Sequence, residues 1–592
     1  MLRGKSAAPW LAGTALAIVC ATPAGAQDDV TRRLAALEAQ LATQQAIISR
    51  QQAEIDALKR DTAVPDTLPG DPVTPTDIFV TQQNADDRPP ESGVAVVTPD
   101  QVRGPAAPQR DDSGEDAQPS TGVDTLGTQV RRAVEASKGL AIQTLERPRL
   151  TLAGGRPTFV SADGGYSLSL RGFVQADAGF HFQDAAGPLN LDRRRGSQGG
   201  GRENNAAADL SNGANFRRAR LGVEGVLDRD FSYRLQIEYG GSGTEGPARI
   251  NDAWIAYTGF APFTIQAGAF SPPANMDDGQ SPEDQLFLER ATSAELSRTL
   301  GGADGRVGIG VRGNGLRWFG AVTATGPTVN DAETFDEQLA VVGRAAYLIA
   351  TDDLDFTYNV QLGLNGTRVF LPADQGVAAT PRYPFRFRDR PELRLDGTRL
   401  IDTGVIDAAS VSTYGVEGGA QYRNFYLQAE AFRYQVERRN STLANPDFSG
   451  GYVEGTWILT GEFRRHNIAT ASFLNPRPYR SFSPANGGFG AVELAARYSW
   501  VDLNYRAGTA GTAAAADAIR GGSQKIVTLG LNWYLNSNVK LLFDFRHVDV
   551  DRLNPAGVGN TAPFGAGTAT PPVGAQIGQS YNAFAIRSQF AF

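Results

Sequence analysis

A single cysteine, Cys20, occurs in the 592 residues, and it falls in the apolar stretch at the N-terminus. The rest of the chain can therefore form no disulfide, no thiolate metal site and no cysteine nucleophile. Histidine is almost as scarce. His181, His466 and His547 are the three present, with no close His/Glu or Ser/His arrangement in one hairpin. Neither a hydrolytic triad nor a metal centre can be assembled from them, so no catalytic residue, no metal and no cofactor is expected. No run of 18 apolar residues appears beyond the N-terminus, which excludes an ordinary transmembrane helix. It does not exclude a membrane barrel, whose strands alternate and average to a mean hydropathy near the −0.28 found here. Lysine is nearly missing too, with only Lys525 and Lys540 from residue 151 onward, whereas arginine is plentiful.

The N-terminal stretch reads as a secretory signal, residues 1–26. Arg3 and Lys5 supply the charged start, Ala7 to Ala21 the apolar core, and Ala24-Gly25-Ala26 the cleavage site. In residues 27–60 the apolar period becomes seven. Leu34, Leu41, Ile48 and Ile55 occupy one heptad position, with Val30, Leu37 and Leu58 on its companion and Gln44 and Gln51 completing that series. So narrow a stripe has nothing of its own chain to bury against, which predicts an α-helical coiled coil that self-associates, with a trimer preferred over a dimer. Residues 61–150 form a linker rich in proline and acid. Residues 27–120 carry 17 acidic and 8 basic side chains, so the chain's net charge of −8 belongs to this arm.

From 151 to 592 the pattern is that of strands. In Lys525 to Val548, the side chains Val527, Leu529, Leu531, Trp533 and Leu535 share one face, and Val539, Leu541, Phe543 and Phe545 resume it after Asn536-Ser537-Asn538. Thr528, Gly530, Asn532, Lys540, Asp544 and Arg546 share the other, so each strand has one oily and one wet side. Similar pairs recur at 166–182, 216–240, 250–270, 305–324, 340–365, 411–434 and 451–503, with a last strand ending on Phe592. The total is about sixteen, an even number. Connections alternate short and long: 228–230, 261–262 and 536–538 are tight, whereas 184–214, 271–304, 366–410, 504–523 and 549–579 are long. Aromatic side chains cluster near strand ends on the oily face (Tyr239, Tyr257, Tyr347, Tyr422, Trp533). A soluble sandwich gives no reason for that alternation or that girdle. The fold expected is an all-β, sixteen-stranded antiparallel transmembrane β-barrel.

The blocks FRRARLGVEG, AYTGF with GAFSPP and FLER, GRVGIGVRG, GAVELAARYSW and LGLNWYLNSNVKLLFDFRHV, in that order, resemble the phosphate-selective porin O/P family from about Arg171 to Phe592. The terminal Phe592 likewise resembles the assembly signal of outer-membrane barrels. The resemblance implies a trimeric outer-membrane porin, narrowed by an inward-folded loop, with a periplasmic coiled coil in some members. The pore centre of phosphate-selective members resembles a lysine cluster, and here the constriction loop holds no lysine.

Ser271 to Asp304 is the loop long enough to fold back. Ser281-Pro282-Glu283-Asp284 predicts a helix start there, with Leu286, Leu288 and Leu296 pinning it and Arg290 and Arg298 facing the lumen. Gly461 to Gly488 stands where a short turn belongs and carries Arg464, Arg465, Arg477 and Arg480, which predicts a second infolded segment. By parity the inward cations are Arg171, Arg218, Arg220, Arg234, Arg306, Arg312, Arg344, Arg497, Lys540, Arg546 and Arg587. Such a wall draws anions such as phosphate, unless the inward acids Asp177, Glu224, Glu238, Glu417, Glu430, Glu493 and Asp544 neutralise it. The expected partners are the lipid bilayer, two further copies in a homotrimer and small anions, with no nucleic acid. The alternatives are a non-selective porin and a coiled-coil periplasmic tether anchored by its barrel.

Overall fold

Two-residue periodicity with a buried-free oily face forces a sheet to close on itself in lipid, and this one does. The computed structural model describes residues 148–183, 210–241, 248–331, 335–352, 358–440, 442–555 and 573–592, all within the unit Pro119–Phe592. The expected signal peptide, coiled coil and most of the linker lie outside the described residues.

Nineteen strands share the main sheet. Three are short pieces at its margins, Arg149–Thr151, Thr158–Val160 and Pro384–Phe385. The other sixteen are β1 (Ser167–Phe182), β2 (Gly213–Leu227), β3 (Phe231–Glu238), β4 (Arg249–Tyr257), β5 (Phe263–Phe270), β6 (Arg306–Asn314), β7 (Trp318–Thr328) and β8 (Leu339–Thr351), followed by β9 (Tyr358–Leu371), β10 (Ile406–Tyr422), β11 (Phe425–Arg438), β12 (Asp447–Ile458), β13 (Ala491–Tyr505), β14 (Ile519–Tyr534), β15 (Val539–Asp551) and β16 (Ser580–Ala591). Each pairs antiparallel with the next, and β16 pairs with β1 from Asn582↔Phe182 to Ala591↔Phe173, so no edge is left. The expected strand number and closure are found.

The outward face is oily as parity demands. Leu221, Leu235, Val322, Leu364, Leu427 and Leu529 are each exposed, and Tyr239, Tyr347 and Tyr422 stand out near strand ends. Leu529→Arg, near mid-strand on this face, is expected to cost about 2–4 kcal/mol in a lipid bilayer. Thr264→Arg, on the inward face of β5, is expected to cost about 0.5 kcal/mol or less. Reversible folding into vesicles measures both, and equal losses would place lipid on the wrong side.

The inward face departs from expectation. Parity predicts a wetted interior throughout, yet Val369, Val411, Phe432, Tyr434, Val436, Phe448, Val501, Leu503, Ile526, Leu542, Val548 and Val550 point inward into one buried apolar cluster. Long connections fold into the barrel and cover them. The inward side chains of β8–β16 are therefore sealed, whereas Arg171, Glu224, Arg234, Trp254, Thr264 and Arg312 on β1–β6 keep water access.

Candidate functional site

Three segments fill the sealed side. The first, 271–305 between β5 and β6, carries α1 (Met276–Gly279) and α2 (Thr292–Gly301). Asn275 caps α1 by accepting from the Asp278 N–H at 2.8 Å, and the Met276 and Asp277 N–H groups donate to the Glu430 carboxylate of β11 at 3.0 and 2.9 Å. A carboxylate at a helix start satisfies donors that have no partner within the helix. For α2 the residue before the helix, Ala291, offers no side-chain cap. Glu392, from the connection 372–405, supplies it by accepting from the Thr292 N–H at 3.0 Å. Leu296 and Leu300 of α2 lie in the same apolar cluster as Phe387, Tyr434 and Val501.

The helix expected to start at Ser281 does not form. Ser281 to Asp284 is a turn, with the Asp284 N–H donating to the Ser281 carbonyl at 2.8 Å, and the chain after it runs irregularly to Ala291. The reason is in its carbonyls. Gln285 accepts from Lys540 Nζ at 2.8 Å, Leu286 from Asn532 at 3.0 Å, and Leu288 from Arg587. The Leu288 N–H donates to Asp544 at 2.9 Å. A helix would consume these groups internally and leave the wall's polar side chains unpaired. Leu286, Leu288 and Leu296 are buried, as expected of pinning residues.

The third segment, 459–490, rises into the barrel from the short-turn rim. Arg464 is fully buried and donates to Glu493 at 2.8 and 3.0 Å and to the Asp284 carbonyl at 3.2 Å. Arg344 holds the Thr470 and Ala471 carbonyls at 2.7 and 2.6 Å, and His466 Nε2 lies 2.6 Å from Gln361 Oε1. Burial first, then the nearby Arg344, hold the His466 imidazole down at about 4, so it stays neutral at physiological pH.

The wall cations expected from parity split into two groups. Arg344, Arg497, Arg546, Arg587 and Lys540 are buried fasteners. Arg344 pairs with Glu417 at 2.8 Å, Arg497 with Glu392 at 2.5 Å, Arg546 with Asp544 at 2.9 Å and Arg587 with Asp177 at 2.6 Å. Here the inward acids do neutralise their arginines. Arg306 donates to the carbonyls of Gly302, Gly326 and Thr299 and anchors the end of the first segment. Arg298 pairs with Asp278 and Asp304, both at 2.5 Å.

The second group borders open space. Arg171 and Arg234 share Glu224, each at 2.8 Å, and Arg312 has no carboxylate within salt-bridge distance among the described residues. A cavity of about 670 Å³ at the short-turn rim is bounded by Arg156, Arg465, Arg477 and Lys540 against Glu283 and Asp284. Further in, a cavity of about 90 Å³ lies between β2 and the first segment. Arg217, Arg218, Arg220, Arg249, Arg290, Arg298 and Arg394 line it, against Glu289, Glu295 and Asp304. Burial alone would raise the Glu289 carboxyl, but Arg217, Arg218, Arg394 and Arg587 together hold it well below the usual range. Even so, the Arg218 Nε and the Arg290 Nε and Nη1 are buried without an acceptor among the described residues.

Arg217 and Arg394 were not among the expected residues. Arg217 occupies a bulge: Gln175 pairs with Arg218 and Ala176 with Phe216, so the extra residue turns inward beside its neighbour. The signal was legible, because Phe216 and Ala219 both face outward with opposite parity. Arg394 sits in a connection with no periodicity to read.

A closed sixteen-stranded antiparallel barrel, oily outside, narrowed inside by infolded segments and open along a charged wall, is a porin of the bacterial outer membrane, a channel rather than an enzyme. The family model described as phosphate-selective porin O and P matches residues 197–568. The chain belongs to that family. It is 24% identical over 378 residues to Porin O of Pseudomonas aeruginosa, covering 58% of this chain and 78% of that one. It is 26% identical over 408 residues to an uncharacterized protein of Caulobacter vibrioides, covering 68% of this chain and 72% of that one. Among solved structures, OmpT, an outer membrane protein of Vibrio cholerae, covers 72% of this chain and 98% of its own at 13% identity with a TM-score of 0.40, a likeness on which nothing rests.

Proposed function

We propose that this porin passes small anions in preference to cations, phosphate among them, and that it selects in the cavity between β2 and the 271–305 segment. The observation that carries the reading is the excess of guanidinium over carboxylate there, with Arg218 and Arg290 holding buried N–H donors that no acceptor among the described residues takes. A desolvated anion entering that space exchanges water for fixed donors, which favours its passage over that of a cation. The family's name supports phosphate as one such solute, and the lack of lysine in the constriction argues for arginine rather than lysine as the selecting group.

The domain reading continues as part of the proposal: a signal at 1–26, a coiled coil at 27–60, a linker at 61–150 and a barrel at 151–592, three copies assembling with their heptads on the periplasmic side. Zero-current potential across a planar bilayer under asymmetric KCl tests the selectivity. The expected sign is that of chloride permeability exceeding potassium permeability, with added phosphate lowering the chloride current. A cation-selective potential overturns the proposal.

A further inference from the structure

One inward aromatic stands on the water-accessible wall of β1–β6. Phe173, Phe319, Phe432, Tyr434 and Phe448 are at most 4% exposed, because loops or neighbours cover them. Trp254 is only partly covered, on the water-accessible side of the barrel. It stands in register between Arg234 of β3 and Gly268 of β5, and its indole makes no hydrogen bond among the described residues. The Arg234 guanidinium carbon lies 5.4 Å from its ring centre, so a cation occupies one side of the indole. Toward β6 the two positions in register with it are glycines, Gly268 and Gly308. Gly268 adopts a φ of +123°, which residues with a Cβ avoid, and its neighbour across the pair is Gly308.

Farther along the same wall is the one arginine placed there by parity that keeps its full fork among the described residues. Arg312, opposite Thr264, is exposed to the passage and meets no carboxylate or hydrogen-bond acceptor among the described residues. Arg171 and Arg234, by contrast, already share Glu224, and Arg234 also has Asp252 at 3.8 Å. Trp254 and Arg312 are four residues apart in register and two strands apart, about 13 Å along and about 10 Å across, so their backbones stand about 16 Å apart, which an extended arginine, the indole and a short planar solute can span together.

We propose that this wall is a subsite for aromatic monocarboxylates, the ring stacking on the free side of Trp254 and the carboxylate accepting two hydrogen bonds from Arg312. A guanidinium fork matches a planar carboxylate in a bidentate pair, and offset stacking matches a flat ring to the indole. The chemistry favours a single charge: Glu224 and Asp252 interleave with the arginines and leave little excess for a dianion. Binding here is weak, as transport requires, since a solute that is held firmly does not leave. The subsite rests on the reading that anions use this passage, but it fails separately from it.

The test is single-channel current of the full-length protein in KCl with added benzoate or acetate. Benzoate is expected to reduce the current at about one-fifth of the acetate concentration, the gain from stacking. Trp254→Ala should erase that difference and Trp254→Phe should keep most of it, with the sign of the zero-current potential unchanged in both. Arg312→Ala should weaken both anions. Equal action of benzoate and acetate on the parent channel, or an undiminished preference for benzoate in Trp254→Ala, overturns the subsite while leaving the anion reading standing. A cation-selective parent overturns that reading instead.

Discussion

Replacing Arg218 and Arg290 together by alanine is expected to bring the zero-current potential of a KCl gradient close to zero. Both guanidinium groups line the 90 Å³ cavity, and both are more than nine-tenths buried, so salt screens them less than it screens surface charge. A unit charge about 7 Å from a passing ion, at an effective dielectric of ~20, is worth ~2 kcal/mol. Partial screening and the opposing Glu289, Glu295 and Asp304 reduce that, and we expect the ratio of anion to cation permeability to fall about tenfold for the pair. The comparison variant is Arg546→Gln, which alters a fastener outside that cavity. If it shifts the potential as far as the double variant does, selection does not reside at the cavity.

Glu392→Ala is expected to loosen the constriction. Its carboxylate accepts from the Thr292 N–H at 3.0 Å, from Ser499 Oγ at 2.5 Å and from Arg497 at 2.5 Å, while its carbonyl takes Arg546. One residue from the 372–405 connection thus caps α2 and bolts two infolded segments to β13 and β15. Removing it leaves Arg497 buried with the Glu289 carbonyl at 3.0 Å and, as its one carboxylate among the described residues, Glu454 at 3.6 Å. Breaking a buried ion pair costs about 3–5 kcal/mol, and losing a cap adds about 1 kcal/mol. The barrel itself keeps its ladder, so the loss should appear as a larger and noisier open-channel current. Glu392→Gln retains an acceptor for Thr292 and Ser499 and should fall between the two. An unchanged current and noise level in Glu392→Ala would show that the segments are held by their apolar contacts alone.

How far the sequence reveals this molecule depends on what holds each part. The β14–β15 hairpin is legible because lipid on one side and polar surroundings on the other impose a strict alternation from Val527 to Phe545. Leu529 and Leu531 are exposed and Thr528 and Asn532 buried, as the pattern requires. The interior is less legible because its polarity answers to tertiary partners. Phe432, Tyr434 and Val436 carry apolar side chains on the supposedly wet face, and only the infolding of α2 explains them. The helix expected at Ser281 fails for the same reason: its capping pattern is sound, but Lys540, Asn532 and Arg587 take the carbonyls first. The positions of Arg171, Arg218 and Arg312 on the inner face follow from parity. That Arg344, Arg497, Arg546 and Arg587 are fasteners does not follow, because a buried ion pair and a free pore cation look alike in a strand.

The account turns on water running along β1–β6 while the opposite inner wall stays sealed, and cysteine accessibility measures this directly. With Cys20 replaced by alanine the background holds no thiol, so single cysteines can be placed at Thr264, Ile265 and Thr528 and treated with a charged methanethiosulfonate during bilayer recording. Modification at Thr264→Cys should cut the current, while Ile265→Cys, facing lipid, and Thr528→Cys, inward but covered, should leave it unchanged. A silent Thr264→Cys together with a current drop at Thr528→Cys would contradict the account.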